Sequence, residues 1–250
     1  MMSRNSFMQM LAQRFGAIFL LTGKILKFTF FIAFIYFLLK GTKTLAGYNL
    51  NQTMFFFLTF NLVDVVSQFL FREVYRFRPL IVSGGFDLVL AKPISPLFRS
   101  LMGGADILDL FTIPPLVALV YIVGSSLGPA PLEILYYLLL LVSGLLIATS
   151  FHIAVISLGI VTFEIDHTIM IYRDLTSLGR FPVDIFREPV RGFLTYLIPV
   201  GIMVTLPAKA LMGLVRLPAV ILAFIFASVL IFLSIKFWNF ALTKYSSASS

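Results

Sequence analysis

Cysteine is absent from the 250-residue chain, so neither a disulfide nor a thiolate metal site can form, though this absence names no compartment by itself. Charge is scarce: Asp, Glu, Lys and Arg make up 12% of the residues, against about a quarter in a soluble domain. A G-x-x-x-x-G-K-[ST] phosphate loop is missing, since Gly23-Lys24 is followed by Ile25 inside an apolar run, and nucleotide binding by that motif is therefore excluded. Nor is there a nucleophile accompanied by a base and an orienting partner, so no catalytic residue is assigned and an enzyme is not expected. Glu164, Asp166 and His167 share no helical face and have no second histidine nearby, which argues against a metal site.

Apolar residues dominate, at 60% of the chain with a mean hydropathy of +1.02. This composition belongs to an all-α integral membrane protein, and at about 20 residues per crossing the length accommodates about six helices and no soluble catalytic domain. The net charge of +8 sits mostly in loops between apolar runs, where cations set orientation and meet lipid headgroups, so nucleic acid is not an expected partner. The run after Arg14 is interrupted by Lys24 and Lys27 and lacks a small-residue cleavage pattern, so the N-terminus should stay attached.

In chain order, residues 1–15 place Phe7, Met8, Met10, Leu11 and Phe15 largely on one face and predict an amphipathic helix on the membrane surface. Hydropathy predicts spans at about 17–39, 52–71, 105–124, 132–160, 192–212 and 217–240. Lys24 and Lys27 are expected to snorkel to the inner interface, and Asp106 and Asp109 to suit the N-terminus of the third span. Pro114-Pro115 should kink that span. Asp64 in the second span and His152 in the fourth are candidate pathway or interhelical polar residues, with an interhelical hydrogen bond the expectation for His152.

The longest early polar interruption is 72–103. Its cations Arg72, Arg76, Arg78, Lys92 and Arg99 place it in the cytoplasm under the positive-inside bias. Pro79 should end the helix that extends from the second span, Gly84-Gly85 permits a reversal, and Asp87 can cap a short helix that stops at Lys92-Pro93. Ser95-Pro96 then starts another helix. With both termini inside, the remaining loop cations also favour the inner side, leaving Lys40, Lys43, Lys209 and Arg216 outside.

The stretch Ser83-Gly84-Gly85-Phe86-Asp87-Leu88-Val89-Leu90-Ala91-Lys92-Pro93, followed by Pro96-Leu97-Phe98, resembles the membrane subunits of type-two ABC exporters. The nearest branch is that of small six-span permeases linked to drug or viologen efflux. Ala46-Gly47-Tyr48, the run from Gly179 to Phe186, Ile198-Pro199, Leu206-Pro207-Ala208 and the ending from Trp238 agree with it. The resemblance implies a permease of the bacterial cytoplasmic membrane, paired with a second permease subunit and driven by separate ATPase subunits that carry ATP and Mg. It further implies that a coupling helix at 84–93 contacts the ATPase through Gly84, Gly85, Phe86, Asp87, Leu90, Lys92 and Pro93, and that the substrate is amphipathic, drug-like or lipid-like. An ATP-independent secondary transporter or channel built on Asp64, Asp106, Asp109 and His152 is the alternative. In the superfamily the proline-rich region before the last span tends to be re-entrant, which would make 159–179 the fifth span; the cation count favours 192–212, and that reading is retained.

Overall fold

The computed structural model describes residues 14–104 and 107–246, and in these the regular structure is helical, with a single isolated bridge between Leu45 and Tyr48. The expected surface helix at 1–15 lies outside the described residues except for Arg14 and Phe15, which already belong to α1 (Arg14–Thr42). Among the described residues four helices are long and apolar enough to cross a membrane, or five if a bent pair near the C-terminus counts as one.

Helix α2 (Leu50–Phe71) starts at a reciprocal cap: Gln52 N–H donates to the Asn49 side chain at 3.0 Å, and Asn49 N–H donates to Gln52 Oε1 at 2.9 Å. Beyond Phe71 the helix tightens into a 3₁₀ turn (Arg72–Arg76) and resumes as α3 (Phe77–Val82). Pro79 therefore does not end the helix. It sits in the first turn of α3, where its missing N–H would have had no helical partner. The chain turns at Gly84, whose φ of +72° is in the left-handed region that a side chain disfavours, and enters α4 (Gly85–Leu90). Gly84 rather than Asp87 is the N-cap, and Asp87 lies within the first turn. Helix α5 (Pro96–Met102) has Pro96 in its first turn and Phe98 N–H donating to Ser95 Oγ at 3.4 Å, as the Ser-Pro pair predicts.

Helix α6 (Ile107–Ser125) continues through Pro114 and Pro115, and α7 (Pro131–Thr162) is the central post of the bundle. It packs along α11 (Leu217–Lys244), to which Ser143 Oγ donates a bond at the Ala223 carbonyl, 3.1 Å away. It also meets α10 (Gly201–Leu211) so closely that a Cβ on Gly144 would lie 2.5 Å from the Met203 carbonyl oxygen.

The largest difference from expectation concerns 192–212. Instead of one continuous helix the region holds α9 (Val190–Leu197) and α10, bent by 78° across Ile198-Pro199-Val200. Proline 199 removes a donor and its ring disfavours helix in the preceding residue, so the break falls where the residues require it. The polar segment before it runs alongside α2. Glu164 and Asp166 meet Arg78 at one end of the bundle (3.7 and 3.2 Å). Tyr172 of α8 (Asp166–Ser177) faces His152, Arg180 lies over Phe60, and Asp184 accepts from Tyr48 at the other end (3.0 Å). Residues 164–184 thus cover the same distance as α2, whose length is about 33 Å. Arg187 to Gly213 then folds back on itself: Val200 approaches Gly179, and Gly213 reaches Glu133.

Candidate functional site

The reversal at Gly84 points Phe86 inward. Its side chain is fully buried, edge-on to Phe77 (5.3 Å between centroids), Tyr245 (5.1 Å) and Trp238 (6.3 Å). Tyr245 Oη donates to Asp87 at 2.9 Å, and burial together with this carboxylate pushes the phenol up to about 12. Helix α4 is therefore fastened to the end of α11 rather than isolated. Of the sequence-predicted contact residues, Leu90, Lys92 and Pro93 are exposed, Gly84, Gly85 and Asp87 are half-buried, and Phe86 is an anchor. The most exposed apolar side chain of α4, Leu88 at 67%, was missing from that set; its place two residues after Phe86 on the opposite face was the available signal. Val82, Ile94 and Phe98 extend this apolar rim. Arg99 ties α5 back to Glu73 at 2.8 Å.

A second feature is a cleft of ≈ 430 Å³ among α1, α2, α6 and α8. Phe28, Phe31, Phe57 and Phe60 form much of its wall, and Phe31 stacks on Phe57 at 4.3 Å. Lys24, Lys27, Arg173 and Arg180 line it together with Asp64 and Asp109. Lys24 pairs with the buried Asp109 of α6. Both lysines line the cleft, where Lys24 has Asp109 of α6 for company, and both remain exposed on its open side. Asp106 lies outside the described residues. Arg180 sits over the rings of Phe31 and Phe60, 5.7 Å from each centroid.

Asp64 accepts from Gln68 one turn along its own helix, at 2.8 Å, and also lines a small cavity of ≈ 20 Å³ with Ser67, Tyr75, His152 and Tyr172. The structure thus brings Asp64 and His152 to one cavity. His152 does not bond across helices: Nδ1 lies 2.7 Å from the Ala148 carbonyl, the acceptor four residues back. A carbonyl only accepts, so the proton is on Nδ1 and Nε2 presents a lone pair. That Nε2 and Ser67 Oγ, both buried, have no partner, and the cavity between them is sized for one water.

At the far end Asp184 accepts from Tyr48 Oη and pairs with Lys209 at 2.7 Å, joining the turn before α2 to α10. Burial and the adjacent carboxylate raise the Tyr48 phenol above its ordinary range, keeping it a donor. Sequence reasoning passed over Lys24, Lys27, Arg173 and Arg180 as site residues; cations inside or beside apolar runs were their signal.

No curated protein and no solved structure matches the chain. The family model described as "ABC-2 family transporter protein" matches residues 25–249, a stretch that includes α2 to α11 with the α4 reversal and all of the cleft lining except Leu21 and Lys24. The chain belongs to the ABC-2 transporter family, and is a multi-pass membrane permease component of an ABC transporter.

Proposed function

We propose that the chain is the permease subunit of an ATP-driven exporter in a bacterial cytoplasmic membrane, moved through α4 by a separate ATPase that holds ATP and Mg. The observation that carries this reading is the fastening of α4: Phe86 is locked beneath Trp238 and Tyr245 while Leu88 and Leu90 face outward. A force applied to that outer face is transmitted to α11 and α3 instead of being absorbed by a loose loop.

The same reading takes six membrane crossings: α1, α2–α3, α6, α7, α8 and α11, with α9 and α10 entering and leaving from the outer side. Both termini are then cytoplasmic. Arg180, Arg187 and Arg191 move outside, which narrows the bias, yet Arg4, Arg14, Arg72, Arg76, Arg78, Lys92, Arg99, Lys236 and Lys244 keep it inside. Helix α8 leaves Met170, Ile171 and Asp174 exposed. A charged side chain at that depth is expensive against hydrocarbon, and a second permease subunit is the natural cover.

The test is co-expression with a candidate ATPase subunit. The wild-type chain should co-purify with it and stimulate ATP hydrolysis, and Leu88→Glu combined with Leu90→Glu should abolish both without altering the chain's thermal unfolding. Undiminished co-purification and stimulation in that variant would refute coupling through α4. Transport that persists without ATP or the ATPase would instead establish the ATP-independent alternative.

A further inference from the structure

The cleft among α1, α2, α6 and α8 carries an excess of one sign of charge. Four cations face two carboxylates, an excess of two positive charges even with Asp64 counted as ionised. Lys24 is matched by Asp109. Among the described residues Lys27, Arg173 and Arg180 have no carboxylate within ion-pair distance and share only Asp64 farther off, and the two arginines rest on aromatic rings, Arg173 on Tyr75 at 5.9 Å and Arg180 on Phe31 and Phe60. Unmatched cations beside a low-dielectric wall are costly unless an anion completes them.

Along α2 the cleft grades from apolar to polar, with Arg180 at the boundary over Phe31 and Phe60. From Phe57 to Gln68, about 16 Å along α2, the wall changes from phenyl rings to Asn61, Asp64 and Gln68. A ligand that satisfies both parts needs an anionic head and an apolar body of comparable length.

We infer that this cleft binds an amphipathic anion, its phosphate or carboxylate head held by Lys27, Arg173 and Arg180 and its apolar body laid against Phe28, Phe31 and Phe57. The proposal rests on the transporter reading for its physiological meaning, but the binding itself needs neither ATP nor an ATPase. Two sources share this chemistry, an anionic lipid of the surrounding bilayer and an exported fatty or aromatic acid.

The experiment is equilibrium binding of a dansyl-labelled undecanoic acid to the full chain in phosphatidylcholine nanodiscs, followed by dansyl fluorescence after subtraction of empty nanodiscs. A dansyl-labelled alkyl trimethylammonium of equal length is the control. The acid should bind about tenfold more tightly than the cation, a difference expected of one favourable against one unfavourable charge contact. Lys27→Gln, at an exposed position, and Arg180→Gln should each weaken the acid severalfold, while Arg180→Lys retains most of the affinity; thermal unfolding confirms that each variant is folded. Equal binding of acid and cation, preference for the cation, or an affinity unchanged in both glutamine variants overturns the inference. Repeating the titration with phosphatidylglycerol in the nanodisc distinguishes the sources. Competition assigns the site to a lipid headgroup, undiminished binding assigns it to cargo, and both results uphold an anion site. Failure here leaves ATPase co-purification untouched, so the two proposals fall separately.

Discussion

Phe86 has the highest expected sensitivity of any side chain near the reversal, because it is fully buried and touches three rings from two other segments. Phe86→Ala should lower the chain's unfolding free energy by about 3 kcal/mol, read as a fall in thermal midpoint in detergent, whereas Leu88→Ala should leave the midpoint nearly unchanged. Tyr245→Phe removes only the bond to Asp87, a loss of at most about 1 kcal/mol for a partly exposed pair. Because the folded phenol is raised above its unfolded value of about 10, this bond contributes fully below that pH and fades as pH rises toward about 12. A pH titration of the wild-type chain against Tyr245→Phe should therefore show a difference through neutral pH that closes only in strong alkali. Gly84, Asp87 and Ser95 were legible in the sequence as turn and cap chemistry, although Asp87 serves as an acceptor for Tyr245 rather than as the cap. The burial of Phe86 was not legible, since its partners Trp238 and Tyr245 lie far away in sequence.

Helices α8, α9 and α10 show what hydropathy reads and what it does not. It ranks segments by average apolarity, so it selected 192–212, where α9 and α10 are apolar but broken at Pro199, over 164–180, where the polar groups are answered by neighbours. Arg78 answers Asp166, and Phe31 and Phe60 take Arg180. Those answers come from other helices and leave no local trace. The α9–α10 hairpin also depends on close approach to α7. A Cβ at position 144 would meet a backbone carbonyl that cannot swing aside. Gly144→Ala should thus cost about 1–3 kcal/mol by overpacking, more than Gly128→Ala in the open turn before α7 would cost through contacts, and comparison of the two midpoints checks it. The left-handed φ at Gly128 adds its own penalty, so Gly16→Ala, with open space and no such φ, is the cleaner reference.

The absence of cysteine makes the whole arrangement testable, because single cysteines can be introduced into the natural chain without a background. With six crossings and an outer hairpin, Glu188→Cys and Lys40→Cys should react with a membrane-impermeant maleimide in intact cells, while Lys92→Cys and His167→Cys should react only after permeabilisation. Labelling of Glu188→Cys solely from the inside would make 192–212 the crossing and exclude 164–184 from that role. The multi-pass helical class was legible from composition, since apolar runs of this length have few other uses; the course of the chain between α7 and α11 was not, because it is decided by long-range packing.

Helix α1 leans on the rest of the bundle through a few phenyl rings, and only 6% of its apolar window is buried. One wall of the cleft is consequently a single thinly supported helix, and where α1 faces lipid it borders the bilayer directly. A ligand entering past it comes from the lipid phase, so occupancy should follow the ligand's mole fraction in the membrane and not its concentration in water. Doubling the lipid at fixed total ligand would then halve the bound fraction at low saturation, a dilution effect that a water-facing portal would show only as far as lipid removed ligand from solution.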